Sequence, residues 1–171
     1  ASEKRLPMLP DVPTFIEQQV QGLMNDLASC LCSTLANAAE AGEVPAVCFC
    51  GVIPGSDAVL DFCGDGQAWV RLAGIVPVID EQFNDCVMQY DVTLEVGVAR
   101  CAPMVNELGD PPTLAEQFDA NVTLVRDMGL MHKVITCCDT VADQGRPEQF
   151  TTFGPEGDCL GGAWMATWRI V

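Results

Sequence analysis

The stretch QYDVTLEVGVARCAP, beginning at Gln89, constrains the fold more than any other part of this chain. Tyr90, Val92, Leu94, Val96 and Val98 fall on one face of an extended backbone. Asp91, Thr93, Glu95, Gly97 and Ala99 fall on the other. Side chains alternate in direction along a strand, so this reads as a long strand with one buried face and one polar face. The buried face requires a covering layer, and the rest of the sequence must supply it.

Helical periodicity supplies that layer twice. Between Thr14 and Asn37, residues Ile16, Val20, Leu23, Leu27, Leu31 and Leu35 recur at spacings of three and four, with polar residues elsewhere. This is an amphipathic helix, ended by AGEVP. A second stripe, Leu114, Phe118, Val122, Val125, Met128 and Met131, predicts a helix from Leu114 to Cys138. Thr113 and Glu116 match a capping box at its start, and Gly129 should weaken it.

Further strands are expected around the long one. AVCFCGVI from Ala46 reads as a short buried strand, and QAWVRLAGIVPVID from Gln67 as a longer one. The latter lies close in sequence to the Gln89 strand, which suggests an antiparallel hairpin. A short strand is expected at Glu148–Phe153. GGAWMATWRIV alternates again, with Trp164, Ala166, Trp168 and Ile170 on one face. The order helix, three strands, helix, strand indicates α+β: a mostly antiparallel sheet covered on one face by two helices. Residues 1–12, broken by Pro7 and Pro10, are expected to form an extended arm, and 13–171 a single domain.

Charge removes several function classes. The chain carries 24 acidic residues against 8 basic ones, for a net charge of −16. No Lys/Arg cluster exists to neutralise phosphates, so specific nucleic-acid binding and attachment to anionic membranes are not expected. ASEKRLPMLP lacks an apolar core segment, and no apolar run is long enough to span a bilayer. The expectation from these features is a soluble cytosolic product.

Ten cysteines are present: Cys30, Cys32, Cys48, Cys50, Cys63, Cys86, Cys101, Cys137, Cys138 and Cys159. In a cytosolic chain the default is reduced, packed thiols, with disulfides or a metal as alternatives. Cys-x-Cys is a poor match to a zinc knuckle. Cys48 and Cys50 share a strand face, whereas Cys30 and Cys32 diverge on a helix.

Other candidate chemistry is thin. His132 is the only histidine, flanked by Met128 and Met131 in the helical pattern, with no orienting third group for catalysis. Cys63-Gly64-Asp65-Gly66 precedes a strand, not a helix, so it reads as a tight turn and not a dinucleotide site. Asp61 with Asp65, or Asp139 with Asp143, are carboxylate pairs of the kind chance produces in an acidic chain. Asn121-Val122-Thr123 matches a glycosylation acceptor but falls within a helix. No catalytic residue, metal ligand or cofactor site is expected.

The segments CFCGVIPG, CGDGQAWVRL, YDVTLEVGVARCAP and GGAWMATWRIV, together with the element order, resemble the tail terminator proteins of long-tailed bacteriophages. The likeness is greatest to phages infecting actinobacteria and spans nearly the whole chain. It implies a structural virion protein and not an enzyme. Such proteins form a ring, commonly of six subunits, on the last ring of the tail tube. They end tube growth and present a surface to the head-side neck or connector protein. Partners would be further copies of the chain, the tail tube protein and the connector. Assembly would occur in the host cytoplasm, and the product would sit at the head–tail junction of the virion.

Genomic DNA would pass through without specific binding, which suits a negative lumen. Asp91 and Glu95 are then candidates to line the channel. Trp164, Trp168 and Arg169 on the last strand are candidates for an interface, since Trp is enriched at binding hot spots. Asp65, in the Gly55–Gly66 loop, and Asn106 and Asp110, in the Cys101–Pro112 connection, are candidates for touching tube or neck. Alternatives within the class are other neck or tail-completion proteins. From different classes come a cysteine-rich metal or thiol protein and a host-directed acidic binding module.

Overall fold

The alternating stretch forms the centre of a five-stranded sheet in the computed structural model, which describes residues 15–55, 66–79, 89–141, 144–156 and 158–170. The elements are α1 (Phe15–Glu40), β1 (Phe49–Val52), β2 (Gln67–Val78), β3 (Gln89–Cys101), α2 (Leu114–Cys137), β4 (Arg146–Glu156) and β5 (Cys159–Ile170). The sheet order is β1-β2-β3-β5-β4. β1 runs parallel to β2, and every other neighbouring pair is antiparallel. The class is α+β, as the periodicities indicated. The arm 1–12 lies outside the described residues.

Both helices cover the same face. Val92, Leu94, Val96 and Val98 of β3 are fully buried, and they meet Val20, Met24, Leu27 and Leu31 of α1 and Met131, Val134 and Ile135 of α2 in one core. Each such side chain contributes about 1.5–3 kcal/mol by leaving water. Of the α1 stripe, Val20, Leu27, Leu31 and Leu35 are buried, and Ile16 and Leu23 are half-buried against the same core. Backbone N–H groups of Gly42 and Glu43 bond the carbonyls of Ala39 and Ala38 and close the helix. Helix α2 runs through Gly129 without a break, because the residues on either side of it are anchored in the core.

Two strand expectations change. The segment at Ala46 forms only four paired residues, and it is a sheet edge with Phe49 44 % exposed, not a buried strand. The Glu148–Phe153 strand extends to Arg146–Glu156 and forms the opposite edge, with bulges at Pro147/Gln149 and Phe153/Glu156. Proline cannot donate to a ladder, so Pro147 is tolerated at an edge where a central strand would reject it.

The cysteines depart furthest from expectation. Cys30 is disulfide-bonded to Cys138, and Cys32 to Cys50, with Cα separations of 6.2 and 5.7 Å. Cys48 is disulfide-bonded as well. The expectation of reduced, packed thiols is therefore overturned for these residues. The divergence of Cys30 and Cys32 is its structural basis: two positions apart, they point about 200° apart around the helix. One reaches the end of α2 and the other reaches β1. Cys63 and Cys86 lie outside the described residues.

Candidate functional site

The face of the sheet opposite the helices is closed at one end by a tryptophan. Trp69 is 2 % exposed and lies across Gly97 of the paired strand. A Cβ at Gly97 would overlap the Trp69 ring, so glycine is required for this approach. Phe153 packs beside the indole at a centroid distance of 6.1 Å. The indole N–H donates to Glu95 Oε1 at 2.8 Å, and the Arg71 guanidinium grips both oxygens of the same carboxylate.

Further along, Arg169 forms a two-pronged pair with Asp91, at 2.9 and 3.0 Å. The hydrogen bond from Arg169, aided by its charge and that of Arg146, holds the Asp91 carboxyl below the usual carboxylate range despite some desolvation. Thr93 and Thr167 hydroxyls bond to each other between these two pairs. Asp91 and Glu95 are each bound to an arginine, so this strip is not a bare anionic track; pairing compensates the charge locally.

The candidate interface residues separate. Trp168 is buried to 2 % in the helix-covered core, and Trp164 donates its N–H to the Met128 carbonyl of α2 at 3.0 Å. His132 and Phe150 flank the Trp164 ring. Both tryptophans pack against the core, Trp164 half-buried and Trp168 fully buried, and their shared strand face is the inner one. Arg169 stays at the surface through its pair with Asp91. Asn106 and Asp110 are exposed, but they are occupied in shaping their own turn. Asn106 Oδ1 accepts from the N–H groups of Leu108 and Asp110, and Asn106 Nδ2 donates to Asp110 Oδ2 at 3.0 Å. Asp65 lies outside the described residues.

Periodicity alone does not reveal the apolar surface at the two ends of the sheet. At one end, β2 carries Leu72, Ile75 and Val76 exposed, followed by Ile79 at 86 %. Its register with β3 shifts at Leu72/Gly74, so the alternation of faces along β2 changes phase there. β1 pairs only with Gln67–Val70 and does not reach this part of the edge. At the other end, Met104, Val105 and Leu108 precede α2, whose Leu114 and Phe118 stand 86 % and 66 % exposed. The buried residues of α2 begin only at Asp127. Its first turns project beyond the core, held by the capping box of Thr113 and Glu116. The stripe of α2 was legible; its lack of a covering layer was not.

Arg100 and Asp127 form a buried pair at 2.7 and 2.9 Å, and Arg100 also donates to the Pro45 carbonyl. They line a cleft of about 230 Å³. Both are committed to each other, so the cleft presents a structural clamp between β3, α2 and the exit of α1. Among the described residues no group of three or more His, Cys, Asp or Glu could hold a metal ion. No described helix is long and apolar enough to cross a membrane. Compared with known proteins, the chain matches no family model and no curated sequence.

Proposed function

We propose that this chain is a structural subunit of a phage tail. It forms a ring, most simply of six copies, at the head-proximal end of the tail tube, where it ends tube growth and joins the tail to the head-side connector. The observation that carries this reading is the bare apolar surface at both ends of the sheet. One patch sits on β2 and the other on the projecting half of α2. Two different patches on one molecule make a heterologous contact, and such contacts close into rings when the rotation permits. The sequence resemblance to tail terminators supports the same reading. The acidic composition agrees with a passage that DNA crosses without adhering.

A metal or thiol enzyme is supported less well. Its two Cys-x-Cys motifs are tied up in disulfides, and His132 stands beside Trp164 with no cysteine paired to it among the described contacts.

The test is native mass spectrometry over a concentration series, followed by electron microscopy with purified tail tubes. Closed rings, or decoration of one tube end only, are the expected results. A monomer at all concentrations that leaves tube ends bare would overturn the proposal. Binding to isolated connectors but never to tubes would move the chain to another neck component.

A further inference from the structure

Cys101 and Cys159 carry thiols. They stand directly opposite each other where the last residue of β3 meets the first residue of β5. The next position settles the kind of pairing. The Ala102 N–H donates to the Asp158 carbonyl at 2.8 Å. Hydrogen-bonded and non-hydrogen-bonded pairs alternate along an antiparallel ladder, which makes Cys101–Cys159 a non-hydrogen-bonded pair. In such pairs the Cα atoms lie about 4.5 Å apart with side chains on one face, within the span of about 4.4–6.8 Å that a disulfide bridges. Cys101 is exposed and Cys159 is buried. Burial first, then the neighbouring Cys101 and Asp158, pushes the Cys159 thiol above its ordinary range.

We propose that Cys101 and Cys159 are a dithiol site that low-molecular-weight disulfides, such as oxidised glutathione, convert to a cross-strand disulfide. Cys101 is the entry point because the reagent can reach it. Its thiolate attacks one sulfur of the reagent, whose S–S bond breaks and releases one glutathione thiolate. The resulting mixed disulfide lies against Cys159. The Cys159 thiol gives up its proton to solvent and attacks the Cys101 sulfur, which expels the second glutathione. Two protein thiols are oxidised and one reagent disulfide is reduced to two thiols. The product anchors the start of the 102–113 connection to the β4–β5 turn. This inference is independent of the ring proposal.

The experiment incubates the folded full chain with a series of oxidised-to-reduced glutathione ratios, quenches with acid, and maps disulfides by mass after trypsin and chymotrypsin. Wild type should lose the mass of two hydrogens and two alkylatable thiols, with Cys101 linked to Cys159. Cys159→Ser should stop at the mixed disulfide and retain one glutathione on Cys101. Cys101→Ser should leave Cys159 unmodified while the protein stays folded. The proposal is overturned if wild type keeps both thiols at every ratio. It is equally overturned if Cys101 joins Cys137 or a second chain instead, or if Cys101→Ser is modified at Cys159 as fast as wild type.

Discussion

At the scale of single residues, the two most consequential positions are a buried charge and a missing side chain. Asp127 neutralises Arg100 where neither meets water freely, with side-chain exposures of 4 % and 10 %. Asp127→Ala would strand the guanidinium and should cost about 3–5 kcal/mol, read as a lower denaturant midpoint with the slope unchanged. Replacing both partners by Leu and Met should recover most of that loss. Gly97→Ala pushes a methyl into the Trp69 ring and should cost about 1–3 kcal/mol, with a change in tryptophan emission. Asp91 offers a titration. Its folded pKa is depressed by Arg169, so its contribution is present above the ordinary carboxylate pKa of about 4 and fades as pH falls through the lowered value. An NMR titration of the Asp91 carboxyl should move up toward that ordinary value in Arg169→Met. A midpoint that does not move would refute this account of the pair.

At the scale of elements, period and capping made the helices and the central strand readable, because 3.6- and 2-residue repeats survive in any tertiary setting. Val92 to Val98 and Leu27 to Leu35 are such cases. What could not be read depended on neighbours. The inward direction of Trp164 and Trp168 follows from α2 lying over their face, and the bridging of Cys30 to Cys138 from two helices meeting across 108 residues of sequence. The register shift at Leu72/Gly74 had one mark, the glycine inside the strand pattern, which permits a bulge without requiring one. Among the elements, the first half of α2 is the least supported. Glu116 accepts from the Thr113 N–H and hydroxyl, which lowers its carboxyl pKa. Thr113→Ala should speed amide hydrogen exchange over residues 114–126 while the core amides near Met131 keep their protection. The Cys32–Cys50 bridge spans 18 residues, and Cys32→Ser with Cys50→Ser should lower stability by about 3 kcal/mol.

At the scale of the whole molecule, net charge and apolar surface oppose one another. Copies bearing −16 repel, so self-association must draw on the apolar ends. Screening shortens the repulsion, to a Debye length of about 8 Å at physiological salt, and leaves apolar burial in place. Oligomers should therefore become more abundant as salt rises, as measured by sedimentation or native mass spectrometry. Ile75→Asp with Val76→Asp should leave the circular dichroism unchanged and shift the population toward monomer, as should Leu114→Asp with Phe118→Asp at the opposite end. Oligomers that persist in both variants would place the subunit contact elsewhere.

The Cys30–Cys138 bond also divides the molecule mechanically. Residues 30–138 are enclosed by one covalent loop, with α1 fastened to β1 inside it by Cys32–Cys50. β4 and β5 follow after Cys138, so their attachment to the rest depends on ladder hydrogen bonds and core packing. Under a pulling load at the two termini, only the part of α1 before Cys30 and the C-terminal hairpin can extend, and the bonded loop between them stays inextensible. A crosslink from Cys101 to Cys159 would bring β4 inside the inextensible part, leaving on the C-terminal side only the last strand free to peel.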